Sequence, residues 1–134
     1  MSQENVQVVL DQYAATNERD FERVMSYYAD HVELIAREPW LKAGLYRGRE
    51  AVGNFFGDWL STFDRDARFD VTEARELENG VVLIVADHHA RGRGSGVEVR
   101  GTVIWVYRLR DGKITRVEGF ASREEALEAA GRSP

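Results

Sequence analysis

The stretch from Val97 to Ser122 constrains the fold more than any other part of the chain. β-Branched and aromatic residues fill both arms, and Asp111-Gly112 stands between them. Asp-Gly between two such runs is a strong short-range hairpin signal. A three-residue loop of Arg110, Asp111 and Gly112, with Gly112 in the left-handed position, pairs Leu109 with Lys113, Trp105 with Val117 and Val103 with Gly119. Successive strand side chains point to opposite faces. One face then carries Val103, Trp105, Tyr107, Thr115, Val117, Gly119 and Ala121; the other carries Thr102, Ile104, Val106, Arg108, Ile114, Arg116, Glu118 and Phe120. Neither face is fully polar, so both are expected to be covered, one by helices and one by another subunit.

Upstream of this hairpin the pattern has a different period. Val6, Val9, Leu10, Tyr13 and Ala14 recur at helical spacing and predict a helix over 3–17. Asp20 is a candidate N-cap for a second helix bearing Phe21, Val24, Met25 and Tyr28. His31 to Ala36 reads as a short strand, followed by a loop through Pro39, Trp40 and Gly44 that could rim a pocket. A third helix over 49–63 carries Val52, Phe55, Phe56, Trp59, Leu60 and Phe63. Alternation then returns in 67–78, with Phe69, Val71 and Leu77 on one side, then a turn at Asn79-Gly80 and a strand over 81–91. Ser122 with Glu125 forms a capping box for a last helix ending at Gly131. Helices first, then a four-strand meander, predict an α+β domain with helices on one face of a strongly curved, mostly antiparallel sheet.

A chain of 134 residues fits one domain over 1–134. Its 43% hydrophobic share is that of a folded protein, and a net charge of −5 gives no attraction for a nucleic-acid backbone. Cysteine is absent, which excludes disulfides, thiol nucleophiles and cysteine-ligated zinc. The histidines are too scattered for a metal site, and no cofactor motif is present, so neither a metal nor a cofactor is expected. The chain opens on no signal peptide and holds no apolar run near the ~20 residues of a membrane span. The expectation is a cytoplasmic protein without membrane or nucleic-acid partners.

Several segments together resemble a known family. They are Tyr13 in the first helix, Tyr28-Ala29-Asp30, Tyr46-Arg47-Gly48-Arg49-Glu50-Ala51, Arg110-Asp111-Gly112-Lys113-Ile114 and Ser122-Arg123-Glu124-Glu125-Ala126-Leu127. With these the chain resembles the SnoaL-like branch of the nuclear transport factor two superfamily, also called cystatin-like. That is a cone-shaped fold shared by ketosteroid isomerases, polyketide cyclases and scytalone dehydratase. The resemblance implies a mixed sheet with three N-terminal helices on its concave face and a short C-terminal helix. It also implies a pocket. Tyr13 matches the isomerases' oxyanion tyrosine, whereas Ala36 stands at their general base and Trp105 at their second oxyanion donor. The cyclases use a histidine and an aspartate on the last two strands, where this chain offers Trp105, Val117 and Gly119.

The residues therefore leave two functions open. In the first, the cone binds a small apolar or aromatic ligand without transforming it. Its wall would comprise Tyr13, Met25, Tyr28, Trp40, Phe55, Trp59, Val103, Trp105 and Val117. In the second, the protein is a cofactor-free isomerase, cyclase or dehydratase acting on a small cyclic or polyketide-like substrate. Asp87-His88-His89 is the one compact titratable group suited to it. Alternation puts Asp87 and His89 on one face, and His89 with Asp87 and Tyr13 is the candidate catalytic set; which histidine faces the pocket stays open. The alternative is that this strand end simply approaches solvent, and that Tyr13 is core. A homodimer through Ile104, Val106, Ile114 and Phe120 is expected, with Arg116 and Glu118 pairing across it.

Overall fold

A computed structural model describes residues 2–37, 43–63, 67–77 and 80–131. The elements are α1 (Ser2–Asn17), α2 (Phe21–Ser26), β1 (Tyr28–Ala36), β2 (Gly44–Arg47), α3 (Arg49–Ser61), β3 (Arg68–Glu76), β4 (Val81–Arg91), β5 (Glu98–Arg110), β6 (Lys113–Phe120) and α4 (Arg123–Ala130). The strands form one curved six-stranded sheet in the order β2-β1-β6-β5-β4-β3. Among the described residues only β1 and β6 run parallel; every other neighbouring pair is antiparallel. The α+β class and the mixed sheet are those expected. β2 was not foreseen: Gly44 to Arg47 pair with β1 instead of continuing the loop. The second helix is also shorter than expected, because Tyr28 already belongs to β1 and pairs with Ile114.

The last hairpin is built on a tighter turn than the sequence suggested. Arg110 pairs with Lys113, and both turn residues have positive φ, 52° at Asp111 and 77° at Gly112. That is the two-residue mirror-image turn whose twist suits a hairpin. One extra residue, Thr115, bulges from β6, so Arg108 lies opposite Arg116 and Trp105 opposite Gly119. The register thus differs by two residues from the expected one, which leaves the facing of Trp105, Tyr107 and Val117 intact. It does not leave Ile114 intact. The bulge turns this side chain into the main core, where it is fully buried, rather than onto the outer face.

Along the inner face, Val32, Leu34, Val82, Ile84, Trp105, Tyr107, Ile114 and Val117 form one cluster with Val9 and Tyr13 of α1 and Val52, Phe55 and Trp59 of α3. On the outer face, Ala126 and Ala130 of α4 bury Val81, Leu83 and Val106, with Leu77, Ile104 and Phe120 at the margin. The chain therefore covers much of its second apolar face itself. Leu77 sits there because a bulge between Val71 and Glu73 reverses the alternation expected for β3. Ser122 caps α4 by accepting from the Glu125 N–H at 3.1 Å, as expected. Beyond α4 the outer face is charged: Arg47–Glu33–Arg116–Glu118–Arg37 form a continuous ladder across β2, β1 and β6. Arg116 and Glu118, expected to pair across a dimer, pair within the chain. Among the described residues no helix is long and apolar enough to cross a membrane.

Candidate functional site

A cavity of about 30 Å³ lies between α1, α2, α3 and the inner sheet face, lined by Gln12, Tyr13, Thr16, Phe21, Val24, Phe56, Trp59, Phe69, Trp105 and Tyr107. Of the expected wall, Tyr13, Trp59 and Trp105 line it. Met25, Tyr28, Phe55, Val103 and Val117 do not; they pack in the surrounding core, Phe55 against Tyr46 and Phe56. Trp40 lies outside the described residues. Phe21, at 45% exposure, marks the side on which the cavity meets solvent.

The cavity is small because aromatic rings fill the cone. Trp59 stacks on Phe69 at 5.1 Å between centroids, and Tyr13 meets Phe69 and Tyr107 edge to face. Trp105 fits through its partner Gly119: a Cβ there would stand 2.9 Å from the indole Cζ3. The glycine matters for close approach, not for backbone freedom.

Polar groups are few and buried. The Tyr13 and Tyr107 hydroxyls are 2.6 Å apart and share one hydrogen bond. Burial raises the pKa of both and of neighbouring Tyr28, whose buried hydroxyl has no partner among the described residues. Gln12 and Thr16, overlooked in the sequence, are also buried on the cavity side of α1. The signal was present: Val9, Tyr13 and Thr16 follow helical spacing, and Gln12 falls on the same stripe.

Of the adjacent histidines, the inward one is His88, not His89. His88 is 5% exposed and packs against Trp59, Phe63 and Phe69, with centroids 4.5 to 5.1 Å away. Burial first, then the neighbouring His89 and Arg19, lower its pKa to about 4, so the imidazole is neutral at physiological pH. Its Nε2 has no hydrogen-bond partner among the described residues. His89 and Asp87 do share a face, but it is the outer one. There His89 Nε2 meets Asp70 at 3.3 Å and Thr102 donates to Asp87 at 3.3 Å. His89 opens on a separate cleft of about 190 Å³ with Arg68, Arg91, Glu98 and Arg100. The expected set of His89, Asp87 and Tyr13 is therefore not brought together. Pairing of Ile84 with Trp105 fixes the even-numbered residues of β4 inward, and that pairing crosses the loop 92–97. Among the described residues no group of three or more His, Asp or Glu could hold a metal ion.

The sequence profile of the SnoaL-like domain matches residues 9–117. The chain belongs to the SnoaL-like family. No curated protein matches it in sequence. Solved structures share the fold at low identity. Bal32a, from a soil-derived mobile gene cassette, is 18% identical over 98% of each chain, with a TM-score of 0.81. A nuclear-transport-factor-two-like protein of unknown function from Burkholderia pseudomallei is 20% identical, covering 98% of this chain and 100% of its own, with a TM-score of 0.76. Rv0760c from Mycobacterium tuberculosis, solved in complex with estradiol-17β-hemisuccinate, is 17% identical over 90% of this chain and 95% of its own, with a TM-score of 0.75. In this SnoaL-like chain Ala36 is buried and carries no proton, and Trp105 fills space on the inner face. The Ala36 methyl cannot accept a proton, and Trp105 offers a single indole N–H where the resemblance places a protonated carboxyl.

Proposed function

We propose that this SnoaL-like protein binds a small apolar or aromatic molecule in the inner cavity without transforming it. The lining carries the reading: the faces and edges of Trp59, Phe69, Trp105 and Phe56, with no charged side chain among the residues named above. As it stands, the cavity has room for one or two waters. Ligand entry therefore requires side chains to yield, and Phe21 and Phe56 on the solvent side are placed to do so. That a protein of this fold was solved with estradiol-17β-hemisuccinate supports the idea that the cone can open to ligands. Trp59 and Trp105 make the test direct: titration with small aromatics should give saturable quenching of tryptophan fluorescence together with a rise in Tm. Absence of both across an apolar and aromatic panel up to millimolar concentration overturns the reading.

A second reading, a cofactor-free isomerase, cyclase or dehydratase, is favoured by one observation, the buried and unpartnered Nε2 of His88. A neutral imidazole there could accept a proton from a substrate that displaces the surrounding rings. Dehydration, cyclisation and isomerisation of small aromatic and polyketide-like compounds should then be lost in His88→Ala and kept in His89→Ala; the reverse pattern moves the base to His89, and no turnover of any of them by the wild type sinks this reading. A homodimer and a cytoplasmic location belong to the same proposal. With Ile114 inside and Val106 under α4, the face left for a second copy is the charged ladder of β2, β1 and β6. Sedimentation should show a dimer that weakens with salt.

A further inference from the structure

We infer that the ligand of this cavity is a neutral hydroxyl compound of the phenol type, recognised by Gln12 together with the Tyr13–Tyr107 pair. The inference rests on the binding reading above and names the chemistry that the site selects.

Hydrogen-bond accounting on α1 fixes the orientation of the Gln12 amide. The Thr16 hydroxyl donates to the Gln12 backbone carbonyl at 2.9 Å. Its single proton is thereby used, so toward the Gln12 side chain Thr16 can only accept. The group 2.9 Å away must then be the amide N–H, and Nε2 donates to Thr16 Oγ1. Oε1 is left turned away from Thr16, buried and without a partner among the described residues. Gln12 is only 5% exposed and lines the cavity, so this acceptor has no ready access to bulk water. The tyrosine pair has the complementary deficit. Two hydroxyls bring two protons to one shared hydrogen bond. The second proton has no acceptor among the described residues. Each unmet group is destabilising if nothing arrives to satisfy it.

One acceptor and one donor on the wall of an aromatic cavity select among ligands. A hydroxyl both donates and accepts, and so is the smallest group that can answer an acceptor on Gln12 and a donor on the tyrosine pair, all of which line the one cavity. A ketone or an ether only accepts, and leaves Gln12 Oε1 unmet. A carboxylate or an ammonium would bring an unpaired charge into a lining that holds no opposite charge. Trp59, Phe69 and Trp105 add ring faces and edges for an aromatic body. In the empty protein a water can occupy the place of the ligand hydroxyl, since the cavity is large enough for one.

Four probes of similar size separate the possibilities: phenol, anisole, toluene and benzoate, titrated by tryptophan fluorescence and calorimetry against wild type, Gln12→Leu and Gln12→Met. Phenol should bind wild type about tenfold more tightly than anisole, the worth of one buried hydrogen bond, and by a larger factor than toluene, which makes neither bond. Benzoate should bind most weakly. In both Gln12 variants the preference for phenol over anisole should fall below about threefold while toluene affinity holds, provided circular dichroism shows them folded. Met keeps the length of the side chain without its acceptor, so it serves if the branched Leu fails to fold. Equal binding of phenol, anisole and toluene to wild type overturns the inference and spares the binding reading. A phenol preference that survives both substitutions also overturns it. No binding of any probe brings down both.

Discussion

Trp105 and Gly119 face each other across β5 and β6, and the indole occupies the space where any other residue at 119 would place its Cβ. The pair sets how far the cone is filled. A side chain on one partner displaces the other, and loss of the ring on Trp105 opens the cavity.

Gly119→Ala tests the first half. The new methyl would meet Cζ3 at 2.9 Å and Cη2 at 3.1 Å, closer than a Cβ tolerates, and the buried indole must move into the cavity. Overpacking of this kind costs about 1–3 kcal/mol. Urea unfolding should show that loss, and any apolar ligand of the wild type should bind more weakly. A variant of unchanged stability and affinity would show that the indole moves freely.

Trp105→Ala tests the second half. Truncating a buried tryptophan costs about 3–5 kcal/mol, part of it for the hole left behind. Indole added in excess should restore part of that stability, since a ligand that binds only the folded state raises its Tm. No rescue at millimolar indole would mean the space collapses.

His88 should make stability depend on pH. Its pKa is about 4 in the folded protein against an ordinary 6.5, so between these values the unfolded chain binds more protons. Stability is then fully present above the ordinary value and falls as pH drops toward the folded one. From pH 7 to pH 5 this group accounts for about 2 kcal/mol. His88→Phe, which suits the surrounding Trp59, Phe63 and Phe69, should remove that part of the decline in denaturant midpoints. Parallel decline in variant and wild type rules it out.

The Tyr13–Tyr107 hydrogen bond predicts a non-additive pair. Either Phe substitution strands the other buried hydroxyl and costs roughly 1–3 kcal/mol. Removing both strands neither, so the double variant should cost about 1 kcal/mol less than the two singles summed. Strict additivity would place the hydroxyls out of contact.

The fold was largely legible and the site only partly so, for local reasons. Asp111-Gly112 and the alternation around Trp105 announced the hairpin and its inner face, and a two-residue error in register is invisible to a period of two. Ile114 and Leu77 were misplaced because bulges leave no mark in composition. Which histidine turns inward was not legible because Val81-Val82-Leu83-Ile84 is apolar on both faces, since α4 covers the outer one. Nothing along β4 itself says which parity points inward. Gln12 was passed over because a polar residue on a buried stripe looks like a break in the stripe until its partners are known.

Parallel pairing of β1 with β6 also orders events in time. Glu33 and Arg116 are neighbours in the sheet yet 83 residues apart in the chain. Until β6 is made, β1 has only the four-residue β2 beside it, and a lone two-stranded unit is marginal in water. Its other edge stays open to wrong partners through most of synthesis. Closure over so long a separation is slow. The strand made first is thus held in waiting for the one made last, and a chain stopped short of Lys113 would keep its meander while losing the strand that ties the N-terminal half to it.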